Sequence, residues 1–398
     1  MSSLTASLPT AELEEWRYSR VGELDLDRYE AIEAPGPGSA VPAVPVDPAT
    51  ISAVRSKFAS PAAFVALSDG VVIGVEIAPG AASNGLRVEV TPRGQVPPAS
   101  LVPAPDAFDE LNRGSSHAVV IEIPAGRTIS GPIVVGQHIG TAGVLACPRV
   151  IVRSGADSDA TVIEWSSSAD VDCLVVPVTE LDLAGSARLR HVGVQMLGTE
   201  TWQIGRLAAE VGQSATLRCA HIALGGSYAR LRFDVDLVGR GAHGEVSAIY
   251  FGDGDQMHDL RTFQRHDARD TTSNLLFKGA VAGSAHAVYT GLIRIDEAAP
   301  GSNADQSNRI VKLSPDAWAE SVPNLEIHNN DVHCSHASAV GPIDPDQRFY
   351  LESRGVPPMI AERLVVAGFF AEVIESIGIP EIAADVIAEV ALRLERVL

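Results

Sequence analysis

Short runs of alternating apolar and polar residues dominate the middle of the chain. From about residue 62 to residue 295, runs such as Val71–Ile77 and Ala118–Ile123 are separated by Gly, Asp, Asn or Pro. Hardly any helical period appears in this part, and the alternation is typical of strands with one face turned inward. The spacing of the runs predicts the stacked coils of a β-helix, with a sandwich or a double-stranded barrel as the structural alternative.

The two ends of the chain have a different pattern. The first 60 residues combine weak helical patches with a Pro- and Gly-rich stretch, which predicts a helical or irregular region at 1–60. A β-helix core is predicted at 61–340 and a C-terminal helical domain at 341–398. On the pattern alone, that helical domain either caps the end of the solenoid or docks a partner.

Three helical segments are predicted after Asp344. The first has Asp344 as its N-cap and Gly355 at the left-handed position after its end, and the second ends before Gly378. The third has an apolar face made of Ile382, Val386, Val390, Leu394 and Val397. The apolar stripe predicted for the second helix consists of Ile360, Leu364, Ala367, Gly368, Ala371 and Ile374.

Composition narrows the class of protein. The 398 residues are 46% hydrophobic but only 5% aromatic, so the interior has to be built from small aliphatic side chains, as in stacked short strands. A formal charge of -20 makes nucleic acid and anionic membranes unfavourable partners. The four cysteines form no CxxC motif, and no signal core or membrane-length apolar run occurs, so we expect a cytoplasmic protein with reduced thiols.

The densest group of metal-capable side chains lies in 323–336. Two short strands are predicted there, at 325–328 and 332–336, with a turn between them. Strand alternation places Cys334 and His336 on one face and His333 and Ser335 on the other. A thiolate beside an imidazole suits zinc, or iron held with sulfide. Two donors do not close a site, and the alternative is that the histidines lie in a solvated turn.

Common catalytic motifs are missing from the sequence. It contains no Walker A motif, no Gly-x-Gly-x-x-Gly, no His-Glu-x-x-His and no nucleophile elbow, which disfavours a common ATPase or hydrolase. A β-helix enzyme acting on acidic carbohydrate would need carboxylates clustered on one face of adjacent coils. Because Asp and Glu are spread along the chain, this alternative is weakened but stays open.

Several stretches together resemble the SufB/SufD family of iron–sulfur cluster assembly proteins. The similarity covers nearly the whole chain and is strongest in its final third. The stretches are Glu15-Trp16-Arg17-Tyr18, Phe108 with Leu111-Asn112, Gly225-Gly226 with Arg230, His266 with Thr271-Thr272-Ser273, Asp305-Gln306-Ser307-Asn308, Leu313-Ser314, Pro323-Asn324-Leu325-Glu326-Ile327, Asp331-Val332-His333-Cys334-Ser335-His336, and Phe349-Tyr350-Leu351-Glu352-Ser353-Arg354-Gly355.

The resemblance implies a right-handed parallel β-helix flanked by helical regions, without enzymatic activity of its own. In this family, two paralogues pair through the ends of their β-helices, and the C-terminal helices dock the ATPase SufC. The Cys-Ser-His run resembles SufD more than SufB, with Ala337-Ser338-Ala339 where the family commonly has Gly-Ala-Thr. The expected partners are therefore a SufB paralogue and SufC, and the alternative is a SufB-like homodimeric scaffold.

The resemblance also assigns roles to individual residues. His336 and Cys334 match positions at the interface between the two paralogues, where they become candidates for contact with iron or a nascent cluster. Phe349, Tyr350, Arg354 and Gly355 are the candidates for docking SufC. No permanently bound cofactor is expected, only a transient iron ion or iron–sulfur cluster at the partner interface.

Overall fold

The predicted mainly β fold is confirmed by the computed structural model. The structure describes residues 8–32, 48–92, 95, 101–102, 105–115 and 117–398. Their dominant feature is a solenoid of parallel strands with about 8 turns, which is the predicted β-helix. The sandwich and the double-stranded barrel are thereby excluded.

The strands follow one another with short turns between them. In chain order they are β1 Ala63–Ser68, β2 Val71–Ile77, β3 Arg87–Thr91, β4 Ala118–Ile123, β5 Ile133–Ile139, β6 Leu145–Ala146, β7 Arg149–Ser154, β8 Asp159–Ser168, β9 Leu174–Val175, β10 Val178–Leu183, β11 Arg188–Met196, β12 Trp202–Val211, β13 Thr216–Ala223, β14 Tyr228–Leu237, β15 His243–Gly252, β16 Met257–His266, β17 Thr272–Val281, β18 His286–Ile295, β19 Asn303–Lys312, β20 Trp318–Ile327 and β21 His333–Pro342.

Helices flank the strands at both ends. Three short 3-10 helices span Glu14–Trp16, Val21–Glu23 and Leu26–Arg28. The α-helices are α1 Pro48–Lys57, α2 Pro79–Ser83, α3 Ala107–Ser115, α4 Pro345–Ser353, α5 Pro358–Ile377 and α6 Pro380–Val397. As predicted, the Asp344 carboxylate caps α4 by accepting from the N–H groups of Asp346 and Gln347, and Gly355 and Gly378 take left-handed backbone conformations after α4 and α5.

Two sheets form the walls of the solenoid. Sheet one has the order β2-β1-β5-β8-β11-β13-β15-β17-β19-β21, and sheet two runs β20-β18-β16-β14-β12-β10-β7-β4-β3, with β6 and β9 beside it. Among the described strands, only the outermost pairs β1–β2 and β3–β4 are antiparallel. Every inner strand therefore has its backbone hydrogen bonds satisfied by the coil before it and the coil after it.

The lumen between the sheets is filled by the inward-facing residues of every strand. Because the strands pair in register, these residues stack in columns along the axis. One column on sheet one consists of Val162, His191, Cys219, Val246, Leu275, Gln306 and His336. Most lumen positions are small aliphatic residues in one continuous buried cluster, as the low aromatic content predicts.

The C-terminal helices pack on the outer face of sheet one. The predicted apolar face of α6 is confirmed, since Ile382, Val386, Val390 and Leu394 are buried. The stripe predicted for α5 is wrong for most of its length. The buried residues of α5 are Ala361, Val366, Phe370, Val373, Ile374 and Ile377.

The error in α5 has a physical cause. The helix is apolar around most of its circumference, so periodicity alone does not identify the face that packs. The choice is made by the partners, because α5 contacts α4, α6, β15 and β17 at once. Phe370 turns toward Phe251 of β15, with ring centroids 6.5 Å apart, whereas Ile360 and Leu364 stay exposed.

The segment around Trp16 is held against the outer face of sheet two. Arg230 of β14 donates to the Glu15 carbonyl over 2.6 Å, and its guanidinium stacks on the Trp16 ring at 4.0 Å. Arg261 of β16 donates to carbonyl groups of the same segment. Both arginines are buried and share the carboxylate of Asp259, so their charge is compensated. This arrangement pins the beginning of the chain to late coils.

Two lumen histidines of β16 are structural. His258 donates its Nε2–H to the Phe251 carbonyl over 3.2 Å, and His266 hydrogen-bonds Thr271 and Ser273 at 2.8 and 2.9 Å. Burial lowers the pKa of each histidine to about 4. Both imidazoles are therefore neutral at physiological pH.

The low pKa values of His258 and His266 predict that the protein loses stability in acid. In the unfolded chain they titrate near pH 6.5, so between that pH and about 4 the unfolded state binds protons that the folded state does not. The free energy of unfolding falls by on the order of 2 kcal/mol per histidine between pH 7.5 and pH 5. Urea unfolding measured across this range tests the prediction. His266→Gln, which does not titrate, is expected to lose its own share, and an unchanged pH dependence in this variant would contradict the assignment.

Candidate functional site

The solenoid ends at β20 and β21 without a further coil. Among the described residues, no strand pairs with the outer edge of either one. The inward-facing residues of these two strands therefore form an open end, and Ile327 and Val340 are exposed there. An edge of this kind leaves backbone N–H and C=O groups free for another strand, and natural proteins normally cover it. We call the end faces of β20 and β21 the open end.

Cys334 and His336 lie together at the open end. In register, Cys334 stacks on Ala304 and His336 on Gln306, and both of these partners are buried lumen residues. The two side chains thus share the lumen-facing side of β21, as strand alternation predicts. His336 is exposed, and Cys334 is half-buried against the apolar residues at the ends of β18 and β19. Burial and the nearby Asp305 carboxylate raise the pKa of the Cys334 thiol.

The other metal-capable residues of this region are not directed into the open end. His333 and Ser335 lie on the opposite side of β21, where the Ser335 hydroxyl donates to Asp305. His328 follows β20 at the turn and donates its backbone N–H to the Ile295 carbonyl. The predicted strands at 325–328 and 332–336 do exist, but each is part of a strand of 10 residues, because pairing with the preceding coil extends them.

A chain of polar side chains leads from the interior to the open end. The Tyr250 hydroxyl donates to the Asn308 amide oxygen over 3.0 Å, and the Asn308 amide donates to the Ser321 hydroxyl over 2.9 Å. Ser338 then donates to Ser321 over 2.7 Å. These hydrogen bonds connect polar groups of the last coils along the axis.

Gln306 lies directly below His336 in the lumen column. Its amide oxygen is buried and has no hydrogen-bond partner. Gly291 makes room for this side chain, since a Cβ at residue 291 would lie 2.4 Å from the Gln306 amide nitrogen. Gly279 does the same for Tyr250, whose ring would lie 2.0 Å from a Cβ at residue 279. The sequence reasoning did not identify Gln306, although a glycine inside a strand was an available signal of close packing.

The residues expected to dock a partner are on α4 and directly after it. Phe349 and Tyr350 are 70% and 58% exposed, and the Arg354 guanidinium stacks over the Tyr350 ring at 5.2 Å. Gly355 has a φ of 87° and ends the helix. Met359, Ile360 and Leu364 of α5 are exposed as well. We call Phe349, Tyr350, Met359, Ile360 and Leu364 the apolar helix surface. Several exposed apolar side chains on two neighbouring helices mark an interaction site more often than a single scattered apolar residue does.

The described residues do not complete a metal site on their own. No group of three or more His, Cys, Asp or Glu side chains already stands in an arrangement that could hold a metal ion. None of the described helices is long and apolar enough to cross a membrane. The open end by itself thus offers the two donors Cys334 and His336, and full coordination of a metal ion there needs further ligands.

Comparison with known proteins gives the family. Residues 137–369 match the model of the SufBD core domain of the SUF system for iron–sulfur cluster assembly. An iron–sulfur cluster assembly SufBD family protein of Mycobacterium tuberculosis is 33% identical over 305 residues, which are 73% of this chain and 74% of the relative. The SufD protein of Escherichia coli is 24% identical over 401 residues, 98% of this chain and 90% of the relative. SufD of Bacillus subtilis is 27% identical over 250 residues, 62% of this chain and 57% of the relative.

The matched core contains most of the features described above. It begins inside β5, includes β6 to β21 and α4, and ends inside α5, so it contains the open end and the first part of the C-terminal helices. The expected resemblance is confirmed, and the family is one of assembly proteins rather than of carbohydrate-active enzymes. The chain belongs to the SufBD family of iron–sulfur cluster assembly proteins.

Proposed function

We propose that this chain is a non-catalytic, SufD-like scaffold subunit of a cytoplasmic iron–sulfur cluster assembly complex. It pairs with a SufB paralogue through the open end and docks the SufC ATPase through its C-terminal helices. The observation that carries the proposal is the position of Cys334 and His336, which share the lumen-facing side of β21 at the C-terminal end of the coil ladder. A partner that covers this edge would meet both side chains.

The role of the open end follows from its incomplete donor set. Cys334 supplies a sulfur donor and His336 an imidazole, a pair suited to iron held with sulfide. Because two donors leave the coordination unfinished, a partner has to supply the rest, and release of the cargo is easy when the partner moves away. The iron ion or nascent cluster is cargo and passes through the interface transiently.

Gln306 supports His336 in this scheme. Its unpaired amide oxygen lies one coil below His336, where it is available to accept an N–H from the imidazole ring. Such a contact would fix the tautomer and leave the other ring nitrogen directed toward the partner. The polar chain from Tyr250 to Ser338 stiffens the same end of the lumen.

The C-terminal helices connect the ATPase to the open end. The chain passes directly from β21, which carries His336, into α4, which carries Phe349 and Tyr350. Arg348 of α4 also forms a salt bridge of 2.6 Å with Glu362 of α5, so the two helices are in direct contact. A nucleotide-driven movement of SufC at the apolar helix surface would therefore act on the interface through a short, stiff connection.

Replacement of His336 tests its role in cluster assembly. Co-expressed with its SufB and SufC counterparts, His336→Ala is expected to form the complex but to lose at least about tenfold in cluster delivery to an apo-acceptor, because an imidazole donor is missing. The matched control is His333→Ala, which removes an exposed imidazole from the opposite side of the same strand. Equal delivery by both variants would mean that His336 is not a ligand. Failure of the wild-type chain to form the complex would refute the SufD-like assignment.

Thiol labelling tests whether the partner covers the open end. Cys147, Cys173 and Cys219 are buried, so the isolated folded chain is expected to react with a small thiol reagent at Cys334 alone. The thiolate is the reactive form, and the pKa of the Cys334 thiol is raised. The reaction is therefore slow at neutral pH and becomes faster as the pH rises. Addition of SufB is expected to slow it at least about tenfold if the interface excludes solvent. Protection of the isolated chain that increases with its own concentration would instead favour the homodimeric scaffold, and Cys334→Ala gives the background rate.

A polar substitution on α4 tests the docking of SufC. Phe349→Ser is expected to weaken SufC binding at least about tenfold, since a large exposed apolar side chain is the kind that anchors an interface. The control is Ile387→Ser on α6, which removes an apolar side chain that is also exposed. Both variants should unfold within about 0.5 kcal/mol of the wild type, because neither side chain is buried. Equal SufC affinity in the two variants would exclude the apolar helix surface as the docking site.

A further inference from the structure

A second group of metal-capable side chains lies deep inside the lumen, four coils from the open end. It surrounds a cavity of about 70 Å³ between β8, β11 and β13 on one side and sheet two on the other. We call it the lumenal cavity. Its polar lining includes Gln137, Glu164, His191, Cys219 and His221. A cavity of this volume with several polar groups has room for a few water molecules or for an ion.

Three of these residues form a connected row. The Glu164 carboxylate and the His191 Nε2 atom are 2.7 Å apart, and the His191 Nδ1 atom lies 3.6 Å from the Cys219 sulfur. In a tetrahedral site with a metal–sulfur bond of about 2.3 Å and a metal–nitrogen bond of about 2.0 to 2.1 Å, the sulfur and nitrogen ligands are also about 3.6 Å apart. A carboxylate on the second imidazole nitrogen is the usual partner of a metal-bound histidine.

His221 borders the same space from the next lumen-facing position of β13, two residues after Cys219. Residue 193 is a glycine, and a Cβ there would lie 2.8 Å from the His221 Nδ1 atom and 3.9 Å from the His191 Cε1 atom. The missing side chain therefore leaves a gap that both imidazole rings face. A turn of the His221 ring into the cavity would bring a second nitrogen donor to the side of Cys219.

Gln137 lines the other end of the same cavity. It is 5% exposed, and neither polar atom of its side chain has a hydrogen-bond partner among the described residues. A buried amide with both ends unpaired costs free energy unless water completes its bonds. Gln137 lies three coils before Cys219 and four residues further along the strand direction, so it indicates water in that part of the cavity and is too far from Cys219 to share a metal ion with it.

We propose that the lumenal cavity is a binding site for a divalent transition metal ion of the zinc class. Cys219 and His191 are its first two ligands, His221 is the third, and Glu164 holds His191 in the ligating orientation. No three of the described donor side chains are already arranged to hold an ion. The His221 ring therefore has to turn when the metal enters. Water completes the coordination.

The charges at the cavity fit this cargo, since the Arg206 guanidinium, which also lines it, is already paired with Asp109 and Asp234. A metal-bound thiolate and the Glu164 carboxylate together offset the two positive charges of the ion, which a buried site requires. The carboxylate also accepts a hydrogen bond from Thr179 over 2.8 Å, so its position is fixed before metal arrives. The site is separate from Cys334 and His336, and its existence does not depend on the function proposed for the open end.

Cobalt loading is the test. The full chain carrying Cys334→Ala and His336→Ala, which removes the open end from the measurement, is produced in medium supplemented with Co²⁺ and then purified without chelator. We expect about one cobalt ion per chain by elemental analysis and a thiolate-to-cobalt charge-transfer band. In this background Cys219→Ala should abolish the band and lower the bound cobalt per chain at least about tenfold. Cys173→Ala, which removes another buried thiol, should change neither the band nor the bound cobalt.

Two further variants separate ligation from folding. Gly193→Ala keeps every donor but fills the gap between the imidazole rings, so it should also lose the metal. Glu164→Gln should keep the band and bind the ion roughly 10- to 100-fold more weakly. Thermal unfolding of each purified variant shows whether it is folded. Folded background protein without cobalt, or cobalt that Cys219→Ala retains, would overturn the proposal and leave a cavity that holds water only.

Discussion

The hydrogen bonds between successive coils are the interaction on which the rest of this structure depends. A parallel strand in the solenoid cannot satisfy its own backbone groups, so each coil needs a coil on either side. A stack of this kind has to stop somewhere, and at the C-terminal side it stops at β20 and β21 with one edge of each strand unpaired. The open end is therefore not an accident of loop structure. It is the unavoidable boundary of the ladder, and Cys334 and His336 lie on it.

The same ladder explains how polar residues are tolerated in the lumen. Exact stacking places residue over residue, so a large side chain in one coil is accommodated by a small one in the next. Gly279 and Gly291 provide that space for Tyr250 and Gln306. Early coils combine aliphatic packing with the polar group around His191, and late coils contain hydroxyl and amide groups that are hydrogen-bonded from Tyr250 to Ser338. Polar side chains thus occur at two levels of the lumen, one of them next to the open end.

Much of this organisation could be predicted from the sequence. Alternation identified the strands, caps at Asp344 and Gly378 located helix ends, and a period of two placed Cys334 and His336 on one face, because each is a local property. The packing face of α5 and the meeting of His191 with Cys219 could not be predicted. The packing face of α5 depends on which helices and strands surround it. The meeting of His191 with Cys219 depends on which residues of neighbouring coils share a register, and turns of variable length hide that register in the sequence.

The contact between Trp16 and Arg230 joins residues that are far apart in the chain. The residues that hold the Trp16 segment are more than two hundred positions further along the chain, on β14 and β16. Trp16 also packs against Phe108 and apolar residues of earlier coils, so part of its binding surface does not need β14 or β16. The hydrogen bonds from Arg230 and Arg261 join residues of large sequence separation, and such contacts are slow to form, so we expect the Trp16 segment to reach its final position late in folding.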